Sequence, residues 1–309
     1  MERVEHYLQM SDGHEAYVVT YEPSKGVRGY VHLCHGMAEH SGRYEVFCEM
    51  LAKIGYFVSI HDHRGHGRSV KEGDAYGYFA DDNGFERVVE DVHEILTAIR
   101  IKHDLPRPIV FGHSMGSFIT RRYIQLYSEE VEAVILSGSG AANTMHVTGY
   151  QVAKVLVAAQ GKKAEAHFMN SVSFGSFNSK IPNALTAFDW LTRDHSSIQQ
   201  FVEDPLCGFV PTNQFFVDLT GGLLTIGKVS EVAKVRKDLP VLFISGSEDP
   251  VGGNKASGVF LAARQMEAAG MERVAVFIFE GMRHEVLNEQ NKEYVYEVIT
   301  RWLKNEQTI

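Results

Sequence analysis

One pentapeptide, Gly112-His113-Ser114-Met115-Gly116, carries the clearest chemical signal in the chain. It fits G-x-S-x-G, follows the short apolar run Pro108 to Phe111, and opens a stretch of helical period over Ser117 to Tyr127. A serine on a sharp strand-to-helix turn holds its hydroxyl outward, and glycines two residues to either side let backbone approach where a Cβ would clash. Ser114 is therefore the candidate nucleophile. A serine hydroxyl needs a base, and the base needs an orienting carboxylate. With such an elbow the chain order is Ser, then Asp or Glu, then His, each just past a strand. The buried run Val241 to Ile244 leads into Ser245-Gly246-Ser247-Glu248-Asp249-Pro250, and Val274 to Phe279 leads into Glu280-Gly281-Met282-Arg283-His284. Asp249 is preferred over Glu248 because Pro250 keeps it extended and its shorter side chain suits a fixed loop. His284 is the candidate base.

An acyl-transfer site also needs two convergent backbone N–H groups for the oxyanion. The residue after the nucleophile, Met115, supplies one candidate. The loop after Val31-His32-Leu33-Cys34 supplies the other at Met37, where His35-Gly36 permits a tight turn. A second loop, His61-Asp62-His63-Arg64-Gly65-His66-Gly67-Arg68-Ser69, superficially matches a zinc site. Its irregular, glycine-containing backbone favours a structural loop knitted by charged hydrogen bonds, and the serine chemistry needs neither metal nor cofactor. None is expected.

These residues must be positioned by a framework. The chain opens as a hairpin, Tyr7 to Met10 and Ala16 to Tyr21 around Ser11-Asp12-Gly13. Strand-like runs follow at Tyr30 to Cys34, Tyr56 to Ile60, Pro108 to Phe111 and Ala133 to Leu136. Between them lie helical periods at about Tyr44 to Ile54, stopped by Gly55, and at Glu86 to Ile101, where Val88, Val89, Val92, Ile95, Leu96 and Ile99 share one face. This alternation predicts an α/β fold: a mostly parallel sheet with helices on both faces. The alternation breaks from about Gly140 to Val235, where Gln151 to Gln160 reads as helix and the remainder shows no clear strand. It resumes with Val241 to Ile244, a helix near Ala256 to Ala269, Val274 to Phe279 and a final helix to about Lys304. The expected division is a core over 1–139 and 236–309, interrupted by a mainly helical cap over 140–235 on the ligand side of the sheet.

Composition bounds the rest. The 309 residues hold 44% hydrophobic and 22% charged residues, which excludes disorder and a bundle of membrane spans. A formal net charge of −9 argues against nucleic acid and anionic lipid as partners. Three scattered cysteines and an N-terminus without an apolar leader point to the cytoplasm.

Five ordered motifs carry a resemblance: H-G-M-A-E-H-S-G-R-Y (His35 to Tyr44), D-H-R-G-H-G-R-S (Asp62 to Ser69), G-H-S-M-G, S-G-S-E-D-P and M-R-H-E-V-L-N-E (Met282 to Glu289). They resemble the monoacylglycerol lipase and lysophospholipase branch of the α/β-hydrolases, a group often called serine aminopeptidase-like. The resemblance covers the core and reaches D-W-L-T-R-D (Asp189 to Asp194) and D-P-L-C-G (Asp204 to Gly208). It implies a Ser114, Asp249, His284 triad, an oxyanion hole at Met37 and Met115, and a cap that shapes an acyl channel. It also places Glu39 and Arg43 where family members organise the glycerol end of the pocket; an ion pair bracing the loop is the other reading. Ala38 departs from the glycine common in the family.

The expected activity is hydrolysis of a small-molecule acyl ester, a monoacylglycerol or lysophospholipid, through an acyl-enzyme. Trp190, Phe215, Phe216 and Leu223 suggest an apolar acyl site, and transient contact with micelles or membrane surfaces is compatible with it. Alternatives are a thioesterase, an aminopeptidase anchoring its substrate amine on Glu203, Asp204 or Asp218, and a non-catalytic binding protein. The last typically lacks a triad member, and none is missing here.

Overall fold

A computed structural model describes residues 1–306; the last three positions of the expected second core segment lie outside them. The strands form on β-branched and aromatic runs: β1 (Glu2–Gln9), β2 (Glu15–Glu22), β3 (Gly29–Cys34), β4 (Tyr56–His61), β5 (Pro108–His113), β6 (Ala133–Ser137), β7 (Val241–Gly246) and β8 (Val274–Phe279). They make one eight-stranded sheet in the order β1-β2-β4-β3-β5-β6-β7-β8. β1 and β2 run antiparallel, β2 pairs antiparallel with β4, and every later pair is parallel. β3 to β7 are buried along nearly their whole length, which explains their continuous apolar character. β1 starts five residues earlier than its alternation suggests. As the sheet's edge it stays largely exposed, so Glu2, Arg3 and Glu5 occupy strand positions without burial cost.

Helices α1 (Glu45–Lys53), α2 (Gly84–His103) and α3 (Met115–Tyr127) follow strands β3, β4 and β5. Gly55, at φ 103°, ends the α1 region in a conformation that favours glycine. The α2 face expected from the periodicity is the buried one, with Val88, Val89, Val92, Ile95 and Leu96 at 1% exposure or less. Between β6 and β7 the chain forms α4 (Thr144–Gln160), α5 (His167–Phe174), α6 (His195–Glu203), α7 (Asn213–Ile226) and the short α8 (Val229–Val232). Helices α9 (Ser257–Ala268) and α10 (Lys292–Glu306) complete the fold.

Two apolar layers sandwich the sheet. One joins α2, α3 and α9 to β-strand side chains such as Val110, Val134 and Phe243, and continues into Phe215, Phe216 and Leu223 of α7. The other packs Phe47, Leu51, Val295, Ile299 and Leu303 of α1 and α10 against Val58, Phe111 and Ile244. A third small cluster of Trp190, Leu191 and Phe201 lies in the β6–β7 segment. Among the described residues no helix is long and apolar enough to cross a membrane.

Candidate active site

Ser114 sits between β5 and α3 with φ 50° and ψ −119°, a backbone conformation that L-residues rarely adopt. Such strain persists only where its surroundings enforce it. The flanking glycines show how. A Cβ on Gly112 would lie 2.4 Å from the Thr120 hydroxyl and 2.5 Å from the Gly116 carbonyl oxygen, and one on Gly116 would lie 2.1 Å from the Cys34 carbonyl oxygen. The backbone of β3 therefore passes hard against the start of α3. The Ser114 N–H donates to the Ser137 carbonyl at 2.9 Å, tying the turn to β6.

The loops after β7 and β8 bring Asp249 and His284 together. His284 Nδ1 and Asp249 Oδ1 are 2.9 Å apart, and both residues are about 2% exposed. Asp249 is held in turn: its Oδ1 accepts the Val251 N–H at 2.9 Å and its Oδ2 accepts the Ser245 hydroxyl at 3.1 Å. Glu248 instead is exposed and contributes its N–H to the Met282 carbonyl. Burial opposes charge on His284, but the Asp249 carboxylate and its hydrogen bond prevail and raise the imidazole above its ordinary value. Burial likewise raises Asp249, yet His284 more than compensates and its carboxyl titrates below the usual range. The ring of Trp190 lies 5.0 Å from that of His284, and His113 lies 4.7 Å away on another side. Burial and the neighbouring His284 push His113 down to about 4, so it stays neutral beside His284.

Ser114, Met115, Met37 and His284 line one cavity of about 530 Å³, together with Phe118, Trp190, Phe216, Leu219 and Leu223. Phe215 is fully buried against Phe79 instead. Ala38 has φ 52°, the left-handed region that favours glycine; an L-residue there costs about 1–2 kcal/mol. The loop is held nonetheless, because the Ala38 carbonyl accepts the Gly208 N–H at 2.8 Å.

Glu39 and Arg43 belong to a buried ionic network. Glu39 Oε1 accepts the Gly36 N–H at 2.5 Å and the Tyr44 hydroxyl at 2.7 Å, while its Oε2 meets Arg43 at 2.6 Å. Arg43 also grips Glu285 with two bonds of 2.6 and 2.7 Å. Burial would raise both carboxyls, but Arg43 holds them below the usual range. Glu285, Ser245 and His113 fall inside the quoted motifs, but their residue types alone do not mark what they pair with.

In the histidine-rich loop Asp62 spends its oxygens on the Ser41 and Arg68 amides, each at 2.7 Å. His61 bonds His63 at 2.9 Å and His32 at 3.0 Å. Among the described residues two groupings bring metal-binding atoms together: the fully buried His32, Cys34 and His61, and the partly exposed His40, Asp204 and Cys207.

Residues 25–291 match the family described as serine aminopeptidase, S33. The chain is 29% identical to a monoacylglycerol lipase of Mycolicibacterium smegmatis over 97% of both chains. It is 27% identical to a monoglyceride lipase of Homo sapiens over 96% of this chain and 89% of that one. Among solved structures, a thermostable carboxyl esterase from Bacillus coagulans in complex with glycerol superimposes with a TM-score of 0.91, at 26% identity and 99% coverage of both chains.

Proposed function

The chain belongs to the serine aminopeptidase, S33 family and is a carboxylic ester hydrolase, and on that premise we propose that it cleaves single-chain acyl esters, monoacylglycerols foremost, through an acyl-enzyme on Ser114. The observation that carries this reading is the strained Ser114 turn opening into the same apolar cavity as the Asp249-held His284. His284 Nε2 takes the hydroxyl proton as Ser114 Oγ attacks the ester carbonyl. The resulting oxyanion is held by the N–H groups of Met37 and Met115. The carbon–oxygen bond to the alcohol then breaks, and His284 returns the proton to the leaving alkoxide. Water, deprotonated by His284, releases the fatty acid and restores Ser114.

The cavity size falls within the range of about 300–1,000 Å³ typical of small-ligand sites, and its apolar wall suits one acyl chain. We assign the β6–β7 segment, 140–235, as the cap over it, because residues from Gly140 to Leu223 supply much of that wall. Glu39 and Arg43 act as a brace: Glu39 reaches the cavity, but its oxygens are already occupied by Gly36, Tyr44 and Arg43. An aminopeptidase is disfavoured. Glu203 accepts from Gln199, Asp204 from His40, and Asp218 from Gln214 and Gly84, and none of the three is in the cavity wall. Met145, Val155, Phe168, Val172 and Leu185 are exposed around the cap, and through them the cap rests on lipid aggregates.

Ser114→Ala is expected to abolish both fatty-acid release from a monoacylglycerol and labelling by a fluorophosphonate. Turnover at the parental rate would overturn the assignment. Parallel assays with an acyl thioester and an aminoacyl amide rank the alternative chemistries.

A further inference from the structure

His40, Asp204 and Cys207 stand just outside the cavity, where the loop carrying Met37 meets the segment between α6 and α7. Their donor atoms all lie within 4.8 Å of one another, with His40 Nε2 and Asp204 Oδ2 already at 2.9 Å. None of the three has a part in the ester chemistry. From this geometry we propose that they form a binding site for a divalent, thiolate-accepting cation, Zn²⁺ foremost, with the fourth position left to water.

Donor set, charge and access support it. The first is the donor set. One imidazole nitrogen, one carboxylate oxygen and one sulfur are what zinc selects, whereas Ca²⁺ and Mg²⁺ take oxygen. A tetrahedral ion at bond lengths of about 2.0–2.3 Å needs its donors roughly 3.3–3.8 Å apart. The observed spacing reaches that by side-chain movements under about 1 Å. The second is charge. The carboxylates of Glu39, Asp204 and Glu285 gather near Cys207 against the one guanidinium of Arg43, a formal balance of 1 − 3 = −2 that a dication offsets, although burial, the largest influence on the thiol, opposes the thiolate until the ion is bound. The third is access. His40 and Asp204 keep 16% and 32% of their side chains exposed, and Cys207 is only partly buried. An ion can therefore enter without unfolding the core, unlike at His32, Cys34 and His61.

Binding exchanges protons in a defined way. The Cys207 thiol loses its proton to solvent as the metal–sulfur bond forms. His40 must offer the Nε2 lone pair, so its proton moves to Nδ1 and the 3.2 Å bond from the Gly42 amide is released. The ion then joins residue 40 to residues 204–207, across the boundary already bridged by the Gly208 to Ala38 hydrogen bond.

The test uses the full chain, purified without tags that bind metal. One equivalent of Co²⁺ is expected to give a thiolate-to-cobalt charge-transfer band in the near ultraviolet, and one equivalent of Zn²⁺ to abolish it. Cys207→Ser must remove the band. Cys207→Ser and His40→Gln should each weaken Zn²⁺ binding by about tenfold or more in competition with a chromophoric chelator. Asp204→Asn, which keeps the shape of the side chain, guards against misfolding of the other variants and should weaken Zn²⁺ to a similar degree. Stoichiometric binding that persists unchanged in all three variants, or no band in the parent, overturns the site. Ser114→Ala must bind Zn²⁺ as the parent does, so the outcome does not depend on the hydrolase mechanism.

Discussion

His284 works between burial, which opposes its charge, and Asp249, which favours it more strongly. The consequence for activity has a definite sign. In its proposed role as general base the imidazole must be neutral, so a raised pKa places the acid limb of kcat/KM above the ordinary histidine value of about 6.5. Replacing Asp249 by Asn removes the charge that raises His284 and removes the acceptor that selects its tautomer. The acid limb of Asp249→Asn should then move to lower pH, while kcat falls by about a thousandfold or more. A pH–rate profile on a soluble ester measures both. An unshifted limb in the variant would mean that another group sets the limb. At the same scale Arg43 shows how a buried charge is tolerated: Glu39 and Glu285 bracket its guanidinium. That arrangement favours rigidity of the loop carrying Met37 over contact with substrate.

Helices α4 and α5 differ from the core helices in what they leave outside. Val155 and Phe168 are 66% and 58% exposed, close to a cavity whose wall includes Met145 and Val172. If this face rests on lipid, Val155→Glu combined with Phe168→Glu should weaken adsorption to phosphatidylcholine vesicles by about tenfold or more, given roughly 1.5–3 kcal/mol for each apolar side chain withdrawn from water. Hydrolysis of a short soluble ester should hold, since neither residue lines the cavity. Vesicle sedimentation with matched assays decides it, and equal adsorption by both proteins would remove the lipid surface from the account. The core elements were legible because each has one buried face or one buried run, as in α2 and β5. Ser114, Asp249 and His284 were legible for a related reason: each follows a strand that announces itself. Helix α7 was not. Ten of its fourteen residues are buried, because it packs among α4, α3 and α2. A helix buried on nearly all sides shows no clear 3.6-residue alternation of apolar and polar faces. Its one local signal is Thr212, whose hydroxyl caps the Phe215 amide, and Gly222, where the Phe85 ring leaves no room for a Cβ, reads locally as a helix breaker. The brace formed by Glu285 was hidden for another reason, since it pairs across 242 residues of chain.

Across the whole molecule the buried histidines dominate the response to acid. His32 and His66 are pushed down to about 3 and His113 to about 4 by burial, and His35, His61 and His63 are lowered by burial as well. A histidine depressed in the folded state binds its proton only on unfolding. Its contribution is therefore complete above about pH 6.5 and is lost as pH falls from there toward the folded value. Two groups act in the opposite direction. His284 is raised, so its contribution is present at low pH and lost as pH rises through the folded value. Burial lifts Asp218 to about 7, so it too favours the folded state as pH falls below that value. These depressed histidines outnumber the two opposing groups, so unfolding takes up protons below about pH 6.5, and each net proton costs about 1.4 kcal/mol of stability per pH unit. A few such protons are enough against a total of about 5–15 kcal/mol for a folded protein. Acidification from pH 8, followed by far-ultraviolet circular dichroism, should show cooperative unfolding between about pH 4 and 5.5. Urea midpoints should drop steeply from pH 7 through 6 to 5. The same urea midpoint at pH 7 and pH 5 would show that these histidines already exchange protons in the folded state.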